Sequence, residues 1–450
     1  MFQRKAYAQL TDWKERNQGR SALLIEGARR VGKTTLAQEF ARREYASSLF
    51  IDFSRVPREV LDIFDNLRGD LDRLFSRLQA YFDVRLRPRE ALVVFDEVQR
   101  FPPARELIKH LVADGRYDYL ETGSLVSIRK NVSEIVIPSE EEALDLHPLD
   151  FEEYLWAMGS EPLAQAARES FARLEPLPQA LHRRAERLFR EYLLVGGMPQ
   201  VAAAYARAKD FGEADRIKRR ILKLYQEDIA KFAGGDHTKL AALFAAIPGQ
   251  LTKREKRFTL ARLGASARYR EYAGALFWLE ESRTVNLCRA VSDPAVGLAL
   301  SEDAAAFKCY MADTGLLCAH AFADRAATPN ELYRQVLLEK LSVNEGMLVE
   351  NVVAQQLRAA GHRLRFYSKS TPEAEERMEI DFLLVREAAD MKARVNPVEV
   401  KSTGRYGLKS LDKFTCKFTR RVGRQYVLHP KPLKVEGERV FLPLYMAHLL

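Results

Sequence analysis

The chain is expected to fold as an α/β protein around a parallel sheet, and three features of the sequence predict this. Four short apolar runs, 22–26, 48–53, 92–96 and 117–120, alternate with helical stretches, as strands covered on both faces do. A glycine-bounded turn, Gly27 to Thr34, leads from the first run directly into a helical pattern. After about Glu331, a helix, two strands (379–385 and 397–401), a helix and a closing strand form a second α/β unit.

Length and composition fit this class. At roughly 150 residues per domain, 450 residues suggest about three domains. A hydrophobic share of 47% with 30% charged residues excludes a disordered or fibrous chain. The formal charge of +9 permits an anionic partner without demanding one. Apolar stretches such as 91–95 and 382–385 fall far below the roughly 18 residues of a membrane span. Residues 1–13 form an amphipathic pattern (Tyr7, Leu10, Trp13) rather than a secretory leader, so a cytoplasmic location is expected. Cys288, Cys309, Cys318 and Cys416 show no CxxC spacing and are expected to be buried thiols.

Between the two α/β units the pattern changes. Residues 151–232 read as long helices interrupted at Gly196-Gly197-Met198-Pro199. Residues 237–293 hold three short helical patterns and then the β-like run 284–288, an order compatible with a winged helix whose core takes Phe277 and Trp278.

The turn after the first strand fits GxxxxGK[ST] as Gly27-Ala28-Arg29-Arg30-Val31-Gly32-Lys33-Thr34. Its glycines let backbone N–H groups and the helix N-terminus face phosphates, which makes Gly27, Arg29, Arg30, Val31, Gly32, Lys33, Thr34 and Thr35 the expected ATP-binding residues. Lys33 reaches the β- and γ-phosphates, and the Thr34 hydroxyl is a Mg²⁺ ligand. A second carboxylate is required on a neighbouring strand. The run 92–97 ends in Asp96, expected to hold the metal through water, and Glu97, expected to orient or deprotonate the attacking water. Thr122 and Ser124 follow the next strand, either as hydroxyls that sense the γ-phosphate or as a simple strand exit. Arg116 and Arg129 compete as a finger toward a neighbouring subunit, with a plain surface charge as the alternative for either.

The run 27–36, the DEVQR after the Asp96 strand, the ETGS that follows, His147 to Tyr154 and Gly196 to Pro199 together resemble the bacterial and archaeal AAA-type ATPases of the AAA+ superfamily that carry a C-terminal domain of unknown function. The similarity continues through Met311 to Leu316, Glu350-Asn351 and Glu399-Val400-Lys401. It implies an AAA+ core over 1–150, a helical lid over 151–235, a winged-helix-like domain over 236–330 and a nuclease-like domain over 331–450.

In the last segment, Glu399 and Lys401 share one strand face because side chains alternate. Asp381 heads the preceding strand, and Glu350 lies in a helical pattern. The set resembles the PD-(D/E)xK nucleases, in which two carboxylates ligate Mg²⁺ and a lysine positions the water that attacks phosphate. Asp381, Glu399 and Glu350 are therefore candidate metal ligands and Lys401 a candidate catalytic residue, against the alternative of an ordinary half-exposed strand. The acidic run 373–376 beside this set opposes DNA cleavage.

Two basic features suggest DNA contact. Lys409, Lys413 and Lys417 recur at helical spacing opposite Leu411, Phe414 and Phe418, either as a DNA track or as a solvated face. Lys253, Arg254, Lys256, Arg257, Arg262, Arg268 and Arg270 cluster in the winged-helix-like region. The expectation is an ATP-hydrolysing machine that binds or remodels DNA, with a homo-oligomer as a candidate assembly. Its alternatives are a nucleotide-controlled switch for a protein partner with an inert nuclease-like domain, and an ATP-regulated nuclease.

Overall fold

The computed structural model describes residues 2–123, 140–232, 237–253, 257–264, 267–295, 297–323, 333, 345–386 and 394–450. Ser124, Arg129, Arg254 and Lys256 lie outside them. The chain divides into two compact units, Met1–His147 and Pro148–Leu450.

In the first unit, strands β1 (Ala22–Gly27), β2 (Ser47–Asp52), β3 (Ala91–Asp96), β4 (Asp118–Gly123) and β5 (Glu141–Leu146) form one sheet in the order β2-β3-β4-β1-β5. All neighbours are parallel. Because side chains alternate along a strand, each run supplies two apolar faces. Leu49, Ile51, Val93, Phe95 and Tyr119 form one face, buried with Phe64 and Phe75 from the helices Arg58–Leu67 and Leu71–Phe82. Leu23, Ile25, Leu92, Val94 and Leu120 alternate with them and are equally buried. The strand order places β4 between β1 and β3. The loop after β1, the end of β3 and the end of β4 are thus brought to one edge of the sheet.

Among the described residues, the second unit has two sheets. Strands β6 (Val285–Val291), β7 (Glu302–Met311), β8 (Arg365–Lys369) and β9 (Met378–Ile380) form one in the order β7-β6-β8-β9. Strands β10 (Phe382–Arg386), β11 (Arg394–Val400), β12 (Gln425–His429), β13 (Lys434–Glu436) and β14 (Arg439–Pro443) form the other in the order β10-β11-β12-β14-β13. The continuous strand expected over 379–385 is therefore broken. Asp381 is the single residue between β9 and β10, where the chain passes from one sheet to the other. The pairing of β6 with β8 also means that the boundary expected at 330/331 runs through a sheet.

Other local expectations are corrected. Of the three helical patterns in 237–281, the middle one is only a 3₁₀ turn, Leu260–Arg262, between the helices His237–Leu251 and Tyr269–Glu281. Phe277 is 51% exposed rather than core, because Tyr272, Leu276 and Leu279 already supply that helix's buried face. Three cysteines are buried, but Cys416 is exposed, on the solvent side of the helix Lys409–Lys417 whose other face is held by Leu411 and Phe414.

The glycine pair at 196–197 has a packing reason. A Cβ on Gly197 would lie 2.1 Å from the Leu149 carbonyl oxygen, and the Leu149 amide donates to the Gly197 carbonyl at 2.7 Å. Asp313 accepts from the Gly197 amide at 2.5 Å and from the Leu316 amide at 2.8 Å, so two of the motifs noted in the sequence meet at one carboxylate. No helix among the described residues is long and apolar enough to cross a membrane.

Candidate functional site

The loop that fits GxxxxGK[ST] leaves β1 at Gly27 and enters the helix Lys33–Glu44 through Gly32, whose φ of 102° lies in the left-handed region that a side chain disfavours. Arg30 (φ 70°) adopts the same region without that freedom, as does Glu97 (φ 55°) immediately after β3. Such backbone costs about 1–3 kcal/mol each and persists where surrounding contacts enforce it. One such contact is Arg4, buried, whose guanidinium donates to the Val31 carbonyl at 3.2 Å and to the His147 carbonyl at 2.6 Å.

Lys33 is buried, and its ammonium rests on the carbonyls of Gly27 at 2.8 Å and Ala28 at 3.1 Å. Burial pulls its pKa below the usual lysine range, against the pull of Glu97 and Asp96. The Thr34 hydroxyl donates to Asp96 at 2.9 Å (Oδ1) and 3.1 Å (Oδ2). Thr122 also donates to Asp96 Oδ1, and its own oxygen accepts from the Glu97 amide at 3.3 Å. Burial raises the Asp96 carboxyl, while the hydrogen bonds from Thr122 and Thr34 oppose the rise. Gln99 donates to Glu97 Oε2 at 2.7 Å. Lys33, Thr34, Asp96, Glu97 and Thr122 are thus brought together at one sheet edge. The side chains of Arg29, Arg30 and Thr35 are exposed around the loop. Arg116 is tied to Asp114 at 2.6 Å and Asp72 at 2.7 Å, away from this group in its bonding.

A second cluster lies at the junction of the two sheets in the other unit. Asp381 Oδ2 accepts from the Val400 amide at 2.9 Å. Lys401, one residue beyond β11, donates to Glu399 Oε2 at 2.5 Å. Glu399 Oε1 is buried without a hydrogen-bond partner. Burial and the neighbouring Asp381 push the Glu399 carboxyl up to about 8, opposed by Lys401. Glu350, on the helix Glu345–Ala359, accepts from Tyr310 and from Lys308, the latter at 3.1 Å. Lys308 also pairs with Glu379 at 2.7 Å and Asp381 at 3.5 Å. Among the described residues, no three acidic, His or Cys side chains stand as a ready metal cage, since Lys308 is interposed between Glu350, Glu379 and Asp381.

Residues 19–155 match the family model of an AAA domain. This segment is similar to AAA-type P-loop domains. Residues 186–327 and 345–447 match two further models, each described as a domain of unknown function (DUF8612 and DUF4143). No curated protein matches the chain. Among solved structures, the Walker-type ATPase paby2304 of Pyrococcus abyssi is similar at 16% identity, covering 71% of this chain and 96% of that one with a TM-score of 0.41. AMPPCP-bound DnaA from Aquifex aeolicus is similar at 15% identity, with 62% and 86% covered and a TM-score of 0.28. Drosophila ORC bound to DNA is similar at 15% identity, with 68% and 91% covered and a TM-score of 0.29.

Sequence reasoning missed four side chains at these sites. In the first unit, Arg4 braces the loop from a position 27 residues before Val31, with no local signal in the sequence. Gln99, in the run after Asp96, positions Glu97. Lys308 and Glu379 complete the acidic cluster. Lys308 had a signal in the sequence: it is a lone charge inside the apolar run 304–312. The lysine stripe is only partly free, since Lys413 donates to the carbonyls of Ala374 at 2.6 Å and Arg377 at 3.3 Å and so clamps the acidic loop. Its spacing predicted a shared face but not this loop, which returns from β8 to cover it.

Proposed function

We propose that the chain is an ATP-hydrolysing enzyme whose nucleotide state governs a phosphodiester-handling site in its C-terminal half. The observation that supports hydrolysis is the convergence of Thr34, Asp96 and Glu97 beside Lys33. The Thr34 hydroxyl and an Asp96 carboxylate aimed by two hydroxyl donors are a fit for Mg²⁺, and these two residues would hold it. When bound, the ion supplies charge neutralisation on the β- and γ-phosphates. Lys33 exchanges the Gly27 and Ala28 carbonyls for phosphate oxygens, and exposed loop residues such as Arg29, Arg30 and Thr35 border the nucleotide. Glu97, held by Gln99, orients the attacking water and accepts its proton. Thr122 keeps Asp96 aimed.

The C-terminal cluster favours a PD-(D/E)xK-like reading, with Asp381, Glu399 and Glu350 as acidic ligands and Lys401 beside them. The orphaned Glu399 Oε1 supports it, because a buried oxygen without a partner costs free energy until a cation or donor reaches it. Under this reading the segments 1–150 and 151–235 act as motor and lid, while 236–330 and 331–450, joined through the pairing of β6 with β8, supply the winged-helix-like and nuclease-like parts. DNA is the expected partner, with Lys409, Lys417 and the cluster from Lys253 to Arg270 as contacts. The competing reading is a switch that gates a protein partner.

Phosphate release measured with and without duplex, branched and single-stranded DNA tests the proposal. Stimulation by DNA supports the motor. Slow turnover indifferent to every DNA form supports the switch, and no ATP turnover at all rejects hydrolysis. Labelled DNA incubated with Mg²⁺ or Mn²⁺ tests the nuclease-like site, and cleavage by the wild type that persists in Lys401→Ala removes that lysine from the chemistry.

A further inference from the structure

Lys308 is only 1% exposed, and its ammonium lies within 4 Å of three carboxylates from three places in the chain. Glu350 comes from a helix, Glu379 from β9 and Asp381 from the junction between the two sheets. The same ammonium also lies over the Phe366 ring, 5.0 Å from its centroid. Lys308 itself lies on β7, outside residues 345–447, which carry all the other charges of the cluster.

Charge and contact both assign this lysine the place of a cation. Fully ionised, Glu350, Glu379, Asp381 and Glu399 carry four negative charges, against two positive charges on Lys308 and Lys401. Two of the four charges are left unbalanced within the cluster, and Glu399 Oε1 is buried and unpartnered in a residue only 3% exposed. A divalent ion binds carboxylate oxygens at roughly 2.0–2.6 Å, a position that an ammonium at hydrogen-bond distance from the same oxygens excludes by volume and by charge. Of the two Asp381 oxygens, one accepts from the Val400 amide and the other faces Lys308. One Glu350 oxygen is shared by Lys308 and Tyr310.

We infer that Lys308 is a built-in counter-ion that occupies the cation position between Glu350, Glu379 and Asp381, so that a divalent metal enters this site only when the lysine is displaced. The inference rests on the reading of this cluster as a metal site. It assigns to β7 control over whether the C-terminal site is loaded.

Mn²⁺ titration of the full-length, nucleotide-free protein tests it, with Asp381→Asn as the variant that removes the site. Lys308→Met is expected to bind Mn²⁺ about tenfold or more tightly than the wild type, because a positive charge a few ångströms from the ion has been removed. The gain should vanish in Lys308→Met combined with Asp381→Asn, and Lys308→Arg, which keeps the charge, should not show it. In EDTA, Lys308→Met should melt below the wild type, and Mn²⁺ should restore it. If Lys308→Met fails to fold in EDTA, refolding with and without Mn²⁺ decides: recovery supports the inference and no recovery overturns it. Tight wild-type binding abolished by Asp381→Asn and unchanged by Lys308→Met overturns the role of the lysine while leaving the metal site standing. No binding by either protein overturns both.

Discussion

The Thr34 hydroxyl donates to both carboxylate oxygens of Asp96, 62 positions later in the chain. Thr34 is fixed by the first turn of the helix Lys33–Glu44, and Asp96 by the end of β3. Their meeting is a product of strand order: β4 separates β1 from β3, and Thr122 on β4 donates to the same carboxylate from the other side.

Lys33→Ala and Glu97→Gln should separate binding from turnover. The first deletes the cation that compensates the phosphates and is expected to abolish nucleotide binding in a fluorescent-analogue titration. The second keeps the shape of the side chain but not its basicity, and should bind nucleotide while phosphate release falls about 10²–10⁴-fold. Wild-type turnover by Glu97→Gln would remove it from the role of water-orienting residue.

Gly197→Ala should destabilise the second unit by at least about 2 kcal/mol, because its Cβ meets the Leu149 carbonyl oxygen at 2.1 Å and the backbone has to part to admit it. The hydrogen bond from the Gly197 amide to Asp313 would be stretched in the same movement. A urea midpoint equal to that of the wild type would show that the contact relaxes without cost.

His429 should give the protein an acid-sensitive stability. Its imidazole is buried, with Nδ1 2.7 Å from the Tyr406 hydroxyl, and burial lowers its pKa from 6.5 to about 4. The unfolded chain therefore binds the proton first, so the contribution is fully present above pH 6.5 and is lost as pH falls toward 4. His429→Gln is expected to remove on the order of 1–3 kcal/mol of that acid-side slope. Burial lowers His182 and His320 in the same direction, so a residual slope should remain. A pH profile unaltered by the substitution would place the acid sensitivity elsewhere.

The lysine stripe should divide in its effects. Lys409→Glu with Lys417→Glu is expected to weaken DNA binding and flatten its salt dependence, since each lost phosphate contact removes a released counter-ion. Lys413→Ala should instead cost about 0.5–1.5 kcal/mol of stability through the loss of its bonds to Ala374 and Arg377, with little change in the salt slope. An unchanged slope in the double variant would direct attention to the cluster from Lys253 to Arg270.

The sequence by itself determined the features that are local. Gly27 to Thr34 encodes a loop and helix start, and the alternating apolar runs encode strands buried on both faces. Asp96 and Glu97 were legible because a carboxylate pair at the end of such a run is a short-range pattern. The alternation along 397–401 likewise put Glu399 and Lys401 on one face before any contact was known. Tertiary structure decided what depends on chain crossings. It placed β4 between β1 and β3, broke the run 379–385 at Asp381 where two sheets meet, and brought Lys308 from β7 against carboxylates 42 to 73 positions away. Hydrophobic periodicity records only whether a side chain faces a core. The partner of a buried charge is set by strand order and sheet junctions, which distant segments choose together by the surface they bury and the charges they neutralise.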